Sequence, residues 1–392
     1  MKYDFDRMID RKNTNSLKHD FAVERGMPED ILSLWVADMD FASPDCIREA
    51  LMRQVQHGVF GYSDIKPGYT RAVTDWYQNY FNYTIRPEHI VTAPGVVFAI
   101  AAAIQAFTGE NDSVLIQEPV YYPFRAMIRQ NNRNVVNNEL KYTAGHYEID
   151  FTDFEEKIKN NQVKLFILCS PHNPVGRVWK RWELEKMAEI CHRYHVLVIS
   201  DEIHSDFVYE NNTHTVFATL SETTADMTIT CTSPSKTFNI AGLQAANIII
   251  ADEEKRKLFI KAIHRTGHSS LNNFAIAGVQ AAYEGGREWL DQLKEYLAGN
   301  LSLIRNYLRE YLPQIHLVEP EGTYLAWLDC RDLGLTEQER ERLLVHQAGL
   351  WLDTGSMFGE AGTGFERINI ACPRSTIKTA LDRLAQALQQ DK

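Results

Sequence analysis

The chain has 392 residues, of which 44% are hydrophobic and 24% charged, and it carries a formal net charge of −11. This composition is ordinary for a soluble globular protein of two or three domains, and the negative charge argues against nucleic acid or an anionic membrane as a partner. The sequence has no apolar run long enough to span a bilayer, no signal-peptide pattern at its start, and six scattered cysteines without C-x-x-C spacing. We therefore expect a cytoplasmic protein with reduced thiols, no membrane association and no metal site.

Short apolar runs alternate with longer helical patterns through the middle of the chain. Most of the runs are continuously apolar, which is typical of strands buried on both faces of a largely parallel sheet. The predicted strands are 89–93, 113–117, 164–169, 196–200, 227–232 and 246–250. Helical patterns such as 182–194 lie between them, so the alternation predicts a doubly wound α/β core.

The pattern changes after about residue 285. The spacing of apolar residues predicts a long helix over 288–311 and a final amphipathic helix from 375 to about 389. Strand-like segments lie between these helices, at 315–318, 322–328 and 367–371. We expect a smaller α+β unit here, with the first 50 or so residues folded beside it.

Glycine, aromatic and amide residues follow the first three predicted strands. Gly95 leads into an apolar helix pattern at Val96 and Val97, and the N–H groups at a helix N-terminus can bind a phosphate. Tyr121 follows the next strand, where its ring could stack on a flat heteroaromatic ring. Asn173 lies in a proline-rich turn, and its amide could donate to an oxygen on such a ring. Each feature taken alone also fits an ordinary turn or a half-buried side chain.

The next two strands lead to a carboxylate and a lysine. Asp201 directly follows a buried strand, where an unpaired carboxylate is costly unless a cation such as a pyridinium N–H faces it. His204 follows three residues later. Lys236 lies just past the fifth strand with Ser233 and Ser235 as candidate phosphate donors, and a desolvated lysine can form a Schiff base with a carbonyl cofactor. A surface lysine or an exposed acid would explain each residue singly, but the whole series predicts pyridoxal 5′-phosphate (PLP).

Two further candidates lie outside this series. Arg374 follows the last predicted strand and could bind a substrate α-carboxylate, with a surface ion pair as the alternative. Tyr62 lies in a glycine-flanked aromatic loop, and the pattern leaves open whether it serves its own chain or another subunit. We find no second arginine motif for the far end of a substrate.

These residues together resemble the fold-type I PLP enzymes, the aspartate aminotransferase-like superfamily, over nearly the whole chain from Trp35 to Arg374. Within it the sequence is most similar to the MalY/PatB group of cystathionine β-lyases, or C-S lyases. The segments that carry this resemblance are 35–41, 201–204 and 233–242. Many aminotransferases of the superfamily have a tyrosine at the position of His204 and an arginine at that of Gln244, so both residues favour the lyase group.

The resemblance implies a role for each site residue. Lys236 would hold PLP covalently and act as the base, and Asp201 would pair with the pyridine nitrogen. The other implied cofactor ligands are Val96, Val97 and Ser233 at the phosphate, Asn173 and His204 at the ring oxygen, and Tyr121 on the ring face. Arg374, with Asn173 and Ala37, would bind the amino-acid substrate. Tyr62 would come from the neighbouring subunit of a homodimer.

The resemblance also implies the fold and the reaction. We expect an aspartate aminotransferase-like α/β fold with a large PLP-binding domain over 49–287 and a small α+β domain from 1–48 and 288–392. The implied reaction is α,β-elimination of L-cystathionine and related L-cysteine S-conjugates to pyruvate, ammonia and a thiol, in amino-acid metabolism and methionine biosynthesis. A class I/II aminotransferase and a PLP-binding regulatory protein with incidental catalysis are the alternatives, and the preferred thioether stays open.

Overall fold

The computed structural model describes residues 2–390 of the chain. Its helices are α1 (Asp45–His57), α2 (Pro67–Phe81), α3 (Val96–Phe107), α4 (Pro123–Gln130), α5 (Phe151–Asn160), α6 (Arg181–Arg193), α7 (Glu222–Asp226), α8 (Pro234–Thr237), α9 (Glu253–Arg265), α10 (Asn273–Gly285), α11 (Arg287–Tyr311), α12 (Glu337–Glu341) and α13 (Arg374–Gln390). Its strands are β1 (Leu32–Ser33), β2 (Ile90–Ala93), β3 (Ser113–Ile116), β4 (Asn134–Asn137), β5 (Lys141–Thr143), β6 (His146–Glu148), β7 (Leu165–Cys169), β8 (Leu197–Asp201), β9 (Thr228–Thr232), β10 (Ala246–Ile249), β11 (His316–Val318), β12 (Leu325–Asp329), β13 (Leu350–Trp351), β14 (Asp353–Thr354) and β15 (Phe365–Asn369).

Within the described residues, the main sheet has seven strands in the order β2-β10-β9-β8-β7-β3-β4. Neighbouring strands are parallel except that β10 is antiparallel to both β2 and β9. The connection from β9 to β10 contains only the single turn of α8 and a 3₁₀ turn, which is too little to form a helical crossover between parallel strands. All six predicted strands of the core are therefore confirmed, and the sheet is mixed rather than purely parallel.

Helices cover both faces of this sheet, as a doubly wound fold requires. Alternate residues of β7 point to opposite faces, so Leu165 and Ile167 join the apolar cluster under α3 and α9. Phe166 and Leu168 join the cluster under α5 and α6 on the other face. This two-sided burial explains why the strand reads as an unbroken apolar run in the sequence.

A second sheet, with the strand order β11-β12-β15-β14, is antiparallel throughout and packs with α11 and α13. The N-terminal segment joins it, because Asn369 N donates to Leu34 O at 2.8 Å and Asp40 N donates to Ala371 O at 2.9 Å. The predicted long helix and final helix are confirmed as α11 and α13. The domain boundaries at residues 48/49 and 287/288 stay a prediction.

The structure also bears on two expectations from composition, the absence of a membrane-spanning segment and the state of the cysteines. No helix within residues 2–390 is both long and apolar enough to cross a membrane. All six cysteines are free thiols, and every one except Cys46 is buried.

Candidate active site

A cavity of about 410 Å³ opens at the carboxyl edge of β7, β8 and β9. Open α/β sheets place their ligand crevices at this edge. The cavity is lined by eight of the residues predicted from the sequence, namely Ala37, Val96, Val97, Tyr121, Asn173, Asp201, His204 and Lys236. Its other lining residues are Pro94, Gly95, Phe98, Cys169, Ile203, Ser235, Ala241, Gln244 and Ala245.

Lys236 lies in α8, the single helical turn that follows β9. Ser233 caps this turn by accepting a hydrogen bond from Ser235 N, which fixes where the lysine leaves the backbone. Lys236 Nζ donates to Ala37 O at 2.7 Å. Burial lowers the pKa of Lys236 from its ordinary 10.5 to about 8, although the nearby Asp38 carboxylate acts in the opposite direction. A sizeable fraction of this amine is therefore neutral, and hence nucleophilic, at mildly alkaline pH.

Asp201 ends β8 with its side chain buried at the cavity wall. Its carboxylate accepts a hydrogen bond from Ile203 N at 3.2 Å and forms no ion pair with any other described side chain. Burial raises the pKa of Asp201 to about 7, because an isolated charge is poorly solvated there. A cation entering the cavity would lower that pKa and stabilise the ionised form.

His204 and Asn173 present neutral polar groups to the same cavity. Burial lowers the pKa of His204 to about 3, so its imidazole is neutral at physiological pH. Its Nδ1 has no hydrogen-bond partner among the described residues. Asn173 Oδ1 accepts a hydrogen bond from Arg367 Nη1 at 2.9 Å. A ligand oxygen could thus satisfy an imidazole and an amide that this fold leaves partly unused.

The N-terminus of α3 forms an anion cradle on another wall. Its N-cap residue, Gly95, supplies no side-chain cap, and the first N–H groups of any helix lack intrahelical partners. Those of Val96 and Val97 therefore suit a phosphate. Ser235 lies in the cavity wall, whereas Ser233 lies behind it and donates to Ala245 O at 2.6 Å.

The backbone segment 35–41 contributes Ala37 to the cavity wall. Ala37 O accepts hydrogen bonds from both Lys236 Nζ and Tyr324 OH, the latter at 2.9 Å. Asn369 Nδ2 in β15 donates to the carbonyls of Val36 and Asp38, at 2.6 and 2.5 Å. The Asn369 amide thus pairs with the carbonyls on either side of Ala37, and Lys236 and Tyr324 pair with the Ala37 carbonyl itself.

An ion cluster supports the same segment from the N-terminal side. Arg11 binds both Asp38 and Asp40, with its nearest contacts at 2.6 and 2.8 Å. Lys18, whose side chain is fully buried, donates to Asp40 at 2.8 Å. Because a buried ammonium needs carboxylate partners, this cluster fixes the N-terminal segment against the cavity.

Arg374 does not lie where the sequence predicted. It begins α13, where its Nε donates to Asn300 Oδ1 at 3.1 Å and its guanidinium Cζ lies 4.6 Å from the centre of the Tyr296 ring. Strand β15 already ends at Asn369, so the helix carries Arg374 onto α11 and away from the cavity. This placement corrects the expectation that Arg374 binds the substrate carboxylate.

Arg367 is the arginine that reaches the site. It is buried in β15, and besides Asn173 it binds Trp35 O at 2.9 Å and the carboxylate of Asp353. Its Nε has no partner among the described residues. The sequence signal for Arg367 was weak, because β15 reads Phe-Glu-Arg-Ile-Asn and so contains Glu366 and Asn369 as well as the arginine.

Tyr62 does not reach the cavity of its own chain. Its side chain is fully exposed, in a segment without regular structure between α1 and α2. Val59 and Phe60 beside it are also exposed. The structure of one chain therefore leaves the role of Tyr62 a prediction.

Comparison with known proteins identifies relatives over the whole chain. Residues 29–384 match the family described as aminotransferase class I and II. The chain is 43% identical over 384 residues to cystathionine β-lyase PatB of Bacillus subtilis, covering 98% of this chain and 99% of the relative.

Solved structures give the same picture. Cystalysin from Treponema denticola, which contains PLP, superposes with a TM-score of 0.97 at 37% identity, covering 100% of both chains. A PLP-bound C-S lyase from Staphylococcus hominis, complexed with the inhibitor L-cycloserine, gives a TM-score of 0.92 at 33% identity, covering 99% of this chain and 100% of that one. The predicted aspartate aminotransferase-like fold is confirmed.

The lowered pKa of Lys236 predicts how the protein reacts with PLP. When PLP is mixed with protein freed of cofactor, the visible absorption band of the bound cofactor should develop. Its rate of formation should rise with pH around a midpoint near 8, because only the neutral amine attacks an aldehyde. Stopped-flow absorbance across pH 6–10 measures this rate. Lys236→Ala should give no such band, and a wild-type midpoint near the ordinary lysine value would contradict the assignment.

Proposed function

The chain belongs to the aminotransferase class I and II family, and within that family we propose that it is a PLP-dependent carbon–sulfur β-lyase. It would convert L-cystathionine and related L-cysteine S-conjugates to pyruvate, ammonia and a thiol by α,β-elimination. The observation that carries this proposal is that Lys236, Asp201 and His204 line one cavity. The chain is also similar over its full length to a cystathionine β-lyase and to cystalysin.

The groups left unsatisfied in the cavity fit PLP. A pyridinium N–H would supply the cation that the buried Asp201 lacks, and a ring oxygen would give a partner to His204 or Asn173. The phosphate would take the N–H groups of Val96 and Val97, with Tyr121 stacked on the ring. Lys236 would hold the cofactor covalently. Bound in this way, PLP supplies an electron sink that stabilises negative charge on the substrate α-carbon.

Lys236 is the base that the cavity offers for the α-proton. Its amine, when not bonded to the cofactor, would be held in the cavity by Ala37 O and would be free to accept a proton. A pKa near 8 keeps part of the amine neutral near physiological pH and still leaves it basic enough to accept a proton. Asp201, ionised by its pairing with the ring nitrogen, would keep that nitrogen protonated through the step.

Arg367 would bind the substrate α-carboxylate in place of Arg374. Its guanidinium contacts Asn173 on the cavity wall and keeps its Nε without a partner. Arginine offers a planar pair of donors that matches a carboxylate. Binding at this end orients the bond between the β-carbon and sulfur, which decides whether elimination occurs.

A homodimer would complete the site. Met52 and Val55 on α1, together with Val59, Phe60 and Tyr62, form an apolar surface whose side chains are all more than half exposed. Such a surface on a single chain is typical of an interface. A second copy packed here would carry Tyr62 towards the neighbouring cavity.

Cellular placement follows from the same chemistry. Six free thiols and no disulfide fit the reducing cytoplasm, where we place the enzyme. With L-cystathionine as substrate the thiol product is homocysteine, the precursor of methionine.

The products distinguish a lyase from an aminotransferase. The purified protein with PLP should release pyruvate from L-cystathionine with no 2-oxo acid added, because elimination regenerates the cofactor without an amino acceptor. Coupled lactate dehydrogenase measures the pyruvate, and Lys236→Ala serves as the inactive control. Turnover that depends strictly on an added 2-oxo acid would make the protein an aminotransferase instead.

A matched pair of variants tests the substrate arginine. Arg367→Lys should lower kcat/KM for L-cystathionine about 100-fold, because the planar pair of donors is lost, while Arg374→Lys should change it less than about threefold. Steady-state kinetics measures both, and the visible band of bound PLP checks that each variant is folded. A larger loss of kcat/KM in Arg374→Lys than in Arg367→Lys would instead identify Arg374 as the residue that binds the substrate carboxylate.

Co-expression of two inactive variants tests whether Tyr62 acts between subunits. In a mixed dimer of Lys236→Ala and Tyr62→Ala chains, one site holds both an intact lysine and an intact partner tyrosine. Random pairing should therefore restore about a quarter of wild-type activity. No restoration above the two parent variants would show that Tyr62 acts within its own chain or not at all.

A further inference from the structure

Arg25 lies outside the cavity, at the end of the short 3₁₀ turn Val23–Arg25 in the N-terminal segment. Its side chain is exposed, and its Cζ lies 5.2 Å from the centre of the Trp35 ring. Trp35 in turn stacks on Trp351, with ring centres 4.6 Å apart and planes 20° apart. The Trp35 ring gives this exposed arginine a preferred position through cation–π attraction.

The residue under Arg25, Trp35, is bonded through its backbone to Arg367 and lies two residues before Ala37 in the cavity wall. Trp35 O accepts a hydrogen bond from Arg367, the proposed ligand of the substrate α-carboxylate. Two residues along the chain, Ala37 O binds Lys236 Nζ. Arg25 therefore lies against the same N-terminal segment that contributes Ala37 to the cavity wall and binds Arg367.

Tyr122 links the two arginines. Its ring centre lies 5.5 Å from that of Tyr121, which lines the cavity. Burial raises the pKa of Tyr122 and Asp353 raises it further, whereas Arg367 and Arg25 both lower it. Both the buried Arg367 and the exposed Arg25 therefore lie close enough to Tyr122 to act on its hydroxyl.

Arg25 differs from its charged neighbours in having no counter-ion. Arg11 binds Asp38 and Asp40, and Arg367 binds Asp353. Arg25 forms no ion pair with any carboxylate of residues 2–390. An arginine left free beside a cavity can accept an anionic group from a ligand without first breaking a bond within the protein.

We propose that Arg25 binds an anionic group at the far end of the thioether, so that the enzyme prefers L-cysteine S-conjugates bearing a second carboxylate. L-Cystathionine has such a carboxylate, and S-alkyl cysteines do not. The inference rests on the proposed lyase function. In this arrangement Arg367 binds the α-carboxylate, the sulfur passes Tyr122, and the second carboxylate meets Arg25 at the mouth of the cavity.

Two substrates and one charge-removing variant test this inference. Arg25→Met should lower kcat/KM for L-cystathionine about tenfold and change kcat/KM for S-ethyl-L-cysteine less than about twofold, since only the first substrate carries the second carboxylate. Arg25→Lys, which keeps the charge without the planar donors, should fall between wild type and Arg25→Met. Arg342→Met, at an exposed arginine that does not line the cavity, is the matched control.

Salt supplies a second readout that a merely structural role of Arg25 would not move. The KM of the wild type for L-cystathionine should rise with ionic strength, and that of Arg25→Met should not, because a solvent-exposed charge pair is screened. If the wild type is active and Arg25→Met loses kcat/KM equally on both substrates, or keeps the wild-type ratio of the two kcat/KM values, the role of Arg25 is overturned. A wild type that cleaves neither substrate would overturn the proposed function, and the assignment of Arg25 with it.

Discussion

The hydrogen bond from Lys236 Nζ to Ala37 O is the contact on which the rest of the site depends. One partner belongs to the turn after β9 in the main sheet, and the other to a segment bound to β15 in the second sheet. Bringing them together removes a primary amine from water, which lowers its pKa towards the physiological range. The arrangement of the two sheets thus creates the reactivity of the lysine.

The N-terminal segment keeps that contact in place. Arg11 and Lys18 bind Asp38 and Asp40 on either side of Met39, so the backbone around Ala37 is held by charge as well as by hydrogen bonds. A buried ion cluster is costly to assemble, but removing one member would leave an uncompensated charge, so the segment has few alternative positions. The same segment carries Trp35, whose ring lies under Arg25. The support of the Ala37 carbonyl and the aromatic contact of Arg25 therefore come from one stretch of chain.

Much of the fold and of the cavity could be predicted because the core strands are buried on both faces. Such strands appear as continuous apolar runs, and the carboxyl ends of parallel strands meet at one edge, which is why Asn173, Asp201 and Lys236 share a cavity. Edge strand β4 has only Val135 and Val136 between two asparagines, too short an apolar run to be recognised. The antiparallel direction of β10 was also missed, because periodicity carries no information about strand direction.

The sequence by itself determined the fold class and indicated the lysine, carboxylate and helix N-terminus of the site, since each follows from residue types next to recognisable strands. The family came from the resemblance of the segments 35–41, 201–204 and 233–242. Only the tertiary structure decided which arginine contacts a residue of the cavity wall. Arg367 and Asn369 lie on one face of β15, and the register of that strand turns this face towards the segment 35–38, while Arg374 is carried away by α13. Proximity along the chain cannot reveal this, because two partners of Arg367, Trp35 O and Asn173 Oδ1, lie 332 and 194 residues away. For the same reason, the position of Arg25 above Trp35 and Trp351 becomes visible only once the N-terminal segment is folded against the second sheet.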